Sequence, residues 1–189
     1  MGIGVVHQEI ILVSELSIAE NIYLGRLKKN RFGGVDWRQV EKDAKEQLKI
    51  FDLDLNPKKL VKYLSIAEMQ MVELAKVISL DMDIIIMDEP TASLSNKNAL
   101  QLFKVIQQLR AEGKTIIYVS HRLDEIFGIC DEITIMRDGC VIETADIGKY
   151  TKNEIIERMV GRKIEMEYPA SSTVPGDVIM SVSNLTRDG

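Results

Sequence analysis

Two short apolar segments separated by one helix-length segment constrain the fold of this chain more than any other feature. The segments are "IIIMD" at 84–88 and "TIIYVS" at 115–120, and residues 95–112 between them carry apolar positions at helical spacing, with Gly113 just after. Two strands joined through a helix pair in parallel, because a parallel crossover needs about a dozen residues or more. The sequence therefore predicts an α/β fold with a mostly parallel sheet that helices cover on both faces.

Helix-start signals predict two more helices before this unit. Asp36 caps one of them over 36–53, where the apolar residues fall on one face. Ser65 and Glu68 form a capping box at the start of the other, "SIAEMQMVELAKVISL". We expect the second helix to pack its apolar positions against the sheet, among them Ile66, Met69, Leu74 and Val77.

After the second strand, the pattern predicts a short helix, a hairpin and one more helix. "RLDEIFGIC" is the short helix, and "EITIMRDGCVIET" predicts a hairpin that turns at Asp138 and Gly139. Thr151 and Glu154 repeat the capping-box signal at the start of the last helix.

The composition of the sequence changes from Gly161 onward. The stretch "EYPASSTVPGD" contains two prolines and two serines and is typical of a linker, and "VIMSVSNLTRDG" has the pattern of an opening strand. We therefore expect one domain at 1–160, a linker at 161–177 and the first strand of a second domain at 178–189.

Composition limits the class of protein. With 189 residues, 46% of them apolar and 28% charged, the chain can bury one full core. Lys and Arg number 24 against 29 Asp and Glu, a net charge of −5 that argues against a nucleic-acid partner. Cys130 and Cys140 have neither metal-site spacing nor a disulfide framework. The two cysteines therefore favour a reducing cytoplasm. Because the start lacks the pattern of a signal peptide and no apolar run approaches about 20 residues, we expect a soluble protein.

Residues that can perform chemistry follow both predicted strands. Asp88 and Glu89 come at the end of the first strand, and His121 follows the second. Open α/β sheets bind ligands at the carboxyl ends of their strands. Phosphoryl transfer needs a carboxylate for Mg²⁺ and a group that orients or deprotonates water, and neighbouring strand residues point to opposite sides, so two acids can take two roles. The alternatives are a solvated turn and a structural histidine.

Two isolated residues give weaker signals. Ser65 offers a hydroxyl and free backbone N–H groups at a helix start, which is a natural anion site, although most capping boxes only start a helix. Gln8 lies between two apolar segments, and its amide oxygen can bind a metal or a water.

Five motifs, in this order, resemble the nucleotide-binding subunits of ABC transporters. They are Gln8 in "VVHQE", "LSIAEMQ" at 64–70, "IIIMDEP" at 84–90, "ASLS" at 92–95 and "VSH" at 119–121. In that family they correspond to the Q-loop, the signature, Walker B, the D-loop and the H-loop. The resemblance implies a P-loop NTPase-like sheet with flanking helices and a helical signature subdomain.

Longer phrases resemble one subgroup of that family. "SIAENIYLGR", "IIYVSHRLDEIF" and "ERMVGRKI" are similar to the ATP-binding proteins of bacterial monosaccharide importers of the ribose, galactose and allose type. That subgroup joins two nucleotide-binding domains in one chain. The implied partners are a second nucleotide-binding domain, transmembrane permease subunits and, indirectly, a periplasmic or extracellular sugar-binding protein. The implied location is the inner face of the cell membrane.

The resemblance implies ATP and Mg²⁺ as cofactors and gives each candidate residue a role. Asp88 becomes the carboxylate associated with Mg²⁺, and Glu89 becomes the general base for the attacking water. His121 contacts the γ-phosphate, and Gln8 senses metal and phosphate. Ser65 binds the γ-phosphate of the nucleotide held by the partner domain.

The sequence departs from the family pattern at several positions. Ile66 and Ala67 replace the signature glycines, Glu68 replaces its first glutamine, and Ser95 stands where the D-loop has aspartate. The largest departure is that no G-x-x-x-x-G-K-[ST] phosphate loop occurs in the chain. We therefore expect an N-terminally truncated fragment that hydrolyses little ATP by itself. The alternatives are a non-catalytic interaction module and a soluble ABC-family ATPase without membrane partners.

Overall fold

The computed structural model of the chain describes residues 2–161, 180–183 and 186. Apart from Gly161, the predicted linker lies outside the described residues, as does most of the predicted strand at 178–189. Within the described ranges, none of the helices combines the length and hydrophobicity of a membrane-spanning segment.

The chain divides into two compact units. The first comprises residues 1–133 and 144–149, and the second comprises 134–143 and 150–189. The first unit contains the predicted parallel strands, and a third strand joins them to form one sheet. These strands are β1 (Ile3–Val6), β2 (Ile84–Asp88) and β3 (Thr115–Val119).

The sheet of the first unit is parallel throughout. β2 is its central strand, and β1 and β3 pair with it on either side. Val5, Ile86 and Ile117 lie side by side in this register. α4 (Asn96–Ala111) joins β2 to β3, which confirms the predicted strand–helix–strand unit. Its buried side chains include Leu102, Ile106 and Leu109.

A group of helices precedes β2 in the chain. α1 (Ile18–Ile22), α2 (Trp37–Ile50) and α3 (Ile66–Ile78) pack against one another. Asp36 caps α2 by accepting a hydrogen bond from the backbone N–H of Gln39 (3.1 Å). A short 3₁₀ helix lies between α2 and α3, at Val61–Tyr63. The predicted apolar face of α2 is buried, at Val40, Ala44 and Leu48.

The prediction for the start of α3 is wrong in one position. Leu74 and Val77 are buried as expected, but the side chain of Ile66 is 64% exposed. Ile66 directly follows the N-cap residue, and the buried part of α3 begins only at Gln70. The first turn of the helix therefore extends past the core, so an apolar residue there contacts solvent.

The core of the first unit lies against one face of the sheet. Val6, Ile85 and Met87 are fully buried in it. α3 packs against β1 on this side. Gly4 permits the close approach, because a Cβ atom there would lie 2.9 Å from Val77 Cγ1.

The second unit contains most of a β-hairpin. β4 (Glu132–Arg137) and β5 (Cys140–Asp146) pair with each other. The turn falls at Asp138 and Gly139 as predicted, and both have positive φ values, 51° and 76°. Two consecutive positive φ values are what a type I′ hairpin turn requires.

α5 and α6 complete the described helices. α5 (Leu123–Ile129) follows β3 in the first unit, and a 3₁₀ turn at Ile147–Lys149 follows the hairpin. α6 (Lys152–Val160) belongs to the second unit and begins with the predicted capping box of Thr151 and Glu154.

Candidate functional site

The carboxyl ends of the three parallel strands form one edge of the sheet, and four candidate residues lie there. Gln8 comes two residues after β1, Asp88 is the last residue of β2, Glu89 follows it, and His121 comes two residues after β3. Because β2 lies between two strands parallel to it, the three strand ends come to the same edge. This is the place where sheets of this type bind ligands.

Glu89 and His121 contact each other at this edge. His121 Nδ1 lies 2.9 Å from Glu89 Oε1, which is hydrogen-bonding distance. The His121 side chain is 70% exposed and the Glu89 side chain 28%. With Nδ1 directed to the carboxylate, the second ring nitrogen, Nε2, is left for a ligand.

The backbone of Glu89 has an uncommon conformation. Its φ is +45°, in the left-handed region that residues other than glycine seldom adopt. β2 ends at Asp88 as predicted, so Glu89 lies in the turn that follows the strand. The backbone N–H of Glu89 still donates to the carbonyl of Val119 (2.9 Å), which ties the turn to β3. Strained residues of this kind persist where the surroundings hold them, and they cluster at functional sites.

Gln8 is exposed, and the segment after it is fastened to α3. The backbone N–H of Ile11 donates to Glu73 Oε2 (3.0 Å), and the backbone carbonyl of Ile11 accepts from Lys76 Nζ (3.3 Å). Glu73 is buried, and this burial raises the pKa of its carboxyl, although the hydrogen bond from Ile11 opposes the shift. Gln8 is thus placed by a segment anchored three residues further on.

Ser65 is engaged in hydrogen bonds with Glu68 at the start of α3. Its backbone N–H and its hydroxyl both donate to Glu68 Oε2, at 2.7 and 3.0 Å, and the hydroxyl accepts from the backbone N–H of Glu68. The backbone hydrogen bond lowers the pKa of Glu68. The charge that departs from the family pattern is therefore held inside the predicted capping box.

Sequence reasoning missed a buried carboxylate beneath the pair. Glu125 in α5 is 6% exposed and accepts hydrogen bonds from the Tyr118 hydroxyl (2.7 Å) and from Thr91 Oγ1 (2.9 Å). In a sequence, an acid in the first turn of a helix usually indicates a solvated side chain whose charge interacts favourably with the helix dipole. The available signal was Tyr118, because a hydroxyl in an apolar strand needs a buried hydrogen-bond partner.

Comparisons with known proteins point to the same family that the five motifs resemble. The chain is 44% identical over 188 residues to the ribose import ATP-binding protein RbsA of Caldanaerobacter subterraneus subsp. tengcongensis. It is 48% identical over 189 residues to a putative ribose/galactose/methyl galactoside import ATP-binding protein 1 of Agrobacterium fabrum. A family model described as ABC transporter matches residues 1–92. The chain is thus similar to members of the ABC transporter family, with the family model matching its first 92 residues.

The two sequence matches cover the whole chain but only part of the relatives. The chain spans 38% of the first relative and 37% of the second. Among solved structures, the ATP-binding cassette MJ0796 in a dimeric post-hydrolysis state, bound to ADP and Pi, matches with a TM-score of 0.67 and 26% identity. The match covers 77% of this chain and 62% of that one. A second dimeric structure of MJ0796, a bacterial ABC transporter cassette, gives a TM-score of 0.67 at 25% identity, covering 76% and 62%. The predicted α/β cassette fold is confirmed.

Proposed function

We propose that the chain is the ATP-binding and ATP-hydrolysing part of an ABC importer for a monosaccharide. The contact between Glu89 and His121, at the ends of adjacent parallel strands, carries the proposal. Catalysis of phosphoryl transfer is almost entirely positioning and charge stabilisation, so side chains fixed on one edge suit it. The names of the two import ATP-binding relatives support the substrate class.

Asp88 and Gln8 are the proposed ligands for Mg²⁺. Mg²⁺ in nucleotide sites takes one or two carboxylates and completes its shell with waters and substrate phosphates. In the described part of the chain, no group of three or more His, Cys, Asp or Glu side chains could hold a metal ion by itself. The oxygen donors of Asp88 and Gln8 fit an ion that shares its shell with a nucleotide. When bound, the ion neutralises charge on the phosphates.

Glu89 and His121 divide the remaining chemistry. Glu89 is the proposed general base, and its partly buried carboxylate can accept a proton from a water beyond the strand end. His121 is the proposed contact to the γ-phosphate: in the protonated ring, Nε2–H, which does not face Glu89, donates to a phosphate oxygen. The hydrogen bond of 2.9 Å between His121 Nδ1 and Glu89 Oε1 holds the two side chains in a fixed relation. This reaction needs such positioning of its base and of the group that contacts the phosphate.

Ser65 has a proposed role at a second nucleotide. α3 has 13 residues, and its first N–H groups can bind a phosphate together with the Ser65 hydroxyl. That phosphate belongs to a nucleotide held by a second nucleotide-binding domain. The remaining proposed partners are transmembrane permease subunits and an external sugar-binding protein, and the proposed location is the cytoplasmic face of the membrane.

A chimera tests the proposal most sharply. These 189 residues replace the matching segment of the ribose import ATP-binding protein of Caldanaerobacter subterraneus, and Mg²⁺-dependent phosphate release is measured in single turnover. We expect Glu89→Gln to slow hydrolysis at this site by about 10²- to 10⁴-fold while ATP still binds, because an amide keeps the shape but cannot act as a base. Asp88→Asn is expected to weaken binding of Mg²⁺–ATP itself.

Two controls accompany the chimera. Glu132→Gln makes the same chemical change at an exposed position of β4 and is expected to leave hydrolysis unchanged. The 189-residue polypeptide alone is expected to release negligible phosphate, because its sequence contains no phosphate-loop motif. The division of roles is wrong if Glu89→Gln loses nucleotide binding as severely as Asp88→Asn, or keeps full turnover.

A further inference from the structure

We infer that Glu125 is a positioning residue whose carboxylate fixes the turns of Glu89 and His121 at the separation where the two side chains meet. Glu125 lies in the first unit, on α5, and the neighbouring Ile126 is buried. The inference rests on the proposed function only for the chemistry that the pair performs. The placement of the pair stands on the contacts themselves.

On the side of Glu89, the link runs through Thr91. Thr91 comes two residues after Glu89 in the chain and is 2% exposed. Its Oγ1 lies 2.9 Å from each oxygen of the Glu125 carboxylate. The turn that leaves β2 is therefore fastened to α5 two residues after Glu89.

On the side of His121, Glu125 contacts the residues immediately before and after the histidine. Ser120 Oγ lies 3.4 Å from Glu125 Oε2, and Arg122 Nη1 lies 2.7 Å from Glu125 Oε1. Ser120 Oγ also accepts the backbone N–H of Arg122 (3.0 Å), which closes the turn around His121. The Tyr118 hydroxyl adds a bond from β3.

Because Glu125 is buried, its carboxylate depends on these hydrogen bonds. The Glu125 side chain is 5% exposed, and a desolvated carboxylate is tolerated only when it is paired and hydrogen-bonded. Its oxygens have donors from three elements of the chain: the turn after β2, the strand β3 and the turn before α5. Burial and the bond to Glu125 raise the pKa of the Tyr118 hydroxyl, so Tyr118 stays a donor. One buried group thus joins the two turns that carry Glu89 and His121.

The contacts of Glu125 help to keep Glu89 in its left-handed backbone conformation. A residue with φ of +45° returns to a relaxed conformation unless its neighbours hold it. The hydrogen bond to Val119 holds it on one side, and Thr91 holds the chain on the other. Without Glu125, we expect the turn to relax and the contact to His121 to be lost.

Nitrogen NMR of the histidine rings tests this inference on the isotope-labelled 189-residue chain. The sequence contains two histidines, so His7 serves as an internal reference and His7→Gln assigns the signals. At a pH where the rings are neutral, His121 is expected to show mainly the Nδ1–H tautomer, because Nδ1 faces a carboxylate. Glu89→Ala gives the pattern of the lost contact.

Glu125→Ala is expected to shift His121 to the pattern of Glu89→Ala and to leave His7 unchanged. Glu73→Ala is the matched control, since it removes another buried carboxylate that hydrogen-bonds the backbone elsewhere. This control is expected to leave the His121 tautomer as in the wild type, although it removes a charge that acts on His7. A Glu125→Ala chain that keeps the wild-type His121 pattern overturns the inference, and so does an equal shift in Glu73→Ala.

Milder variants decide the matter if Glu125→Ala does not fold. Thr91→Val and Ser120→Ala each remove one link and are expected to shift His121 in part, with the larger shift in Thr91→Val, whose bond is shorter. A wild-type pattern in both folded variants contradicts the inference. Because no nucleotide enters this measurement, its failure is distinct from a failure of the proposed ATPase function, which the chimera tests.

Discussion

The two faces of the three-stranded sheet have similar sequences but different surroundings. One face carries Val6, Ile85 and Met87, all fully buried under helices. The other carries Ile3 and Ile117, which are 60% and 48% exposed. Strands that are apolar on both faces are typical of parallel sheets with helices on both sides. The difference shows that burial depends on what packs against a strand, and the strand's own composition does not determine it.

The largest expected effect comes from the same substitution made on each face. Ile85→Ala removes a fully buried side chain, and we expect it to lower the free energy of unfolding by about 2–5 kcal/mol. Ile117→Ala, on the half-exposed side of the neighbouring strand, is expected to change it by about 0.5 kcal/mol or less. Urea denaturation followed by circular dichroism measures both. Equal losses would mean that the second face is covered in solution.

That outcome leads to the second prediction, which concerns association. Exposed apolar side chains on a sheet face, next to unpaired edge strands, favour contact between molecules. We expect the 189-residue polypeptide to self-associate, and Ile3→Thr with Ile117→Thr to weaken this. Burial of one such side chain contributes about 1.5–3 kcal/mol, and about 1.4 kcal/mol is a factor of ten. The dissociation constant should therefore rise at least about tenfold.

Size-exclusion chromatography with light scattering at several concentrations measures the association. Thr substitution of an exposed residue off the sheet, Ile66→Thr, is the matched control, because Ile66 is as exposed as Ile3. It is expected to leave the dissociation constant unchanged. A wild-type chain that stays monomeric at every concentration contradicts the prediction.

The same contrast explains what the sequence could predict of the fold. Helix starts are local, so the caps at Asp36, Ser65 and Thr151 identify α2, α3 and α6 correctly. The parallel order follows from the crossover between β2 and β3. Which face is covered depends on residues distant in the chain, so apolar strands alone predicted cover on both sides.

The candidate site divides in the same way. Strand ends placed Asp88, Glu89 and His121 on one edge, because parallel strands bring their carboxyl ends together. The left-handed backbone of Glu89 has no local signal, since neither glycine nor asparagine stands there. The bond between Thr91 and Glu125 joins residues 34 positions apart, and no periodicity marks such a pair.

The smallest expected effect concerns α3, the helix that packs on the buried side of β1. It carries two glutamates whose pKa values shift in opposite directions: burial raises that of Glu73, and the hydrogen bond from the Ser65 backbone lowers that of Glu68. The contribution of the Glu73 carboxyl to the free energy of unfolding is fully present below the ordinary pKa of 4.5. It is lost as the pH rises through the raised pKa. The contribution of the Glu68 carboxylate is present above its ordinary pKa of 4.5 and is lost as the pH falls through the lowered pKa.

Free energies of unfolding measured across the acid range, for the wild type and for one Gln variant at each position, separate the two groups. We expect the wild type to lose stability relative to Glu73→Gln as the pH rises above 4.5, the ordinary value for the carboxyl. Relative to Glu68→Gln, the wild type should lose stability as the pH falls below 4.5. Each variant is thus the control for the other, because the chemistry is identical and only the surroundings differ. If both differences changed with pH in the same direction, the Glu73 carboxyl would be hydrated in solution, and the helix would cover this side of the sheet less tightly than the contacts at Gly4 and Val77 indicate.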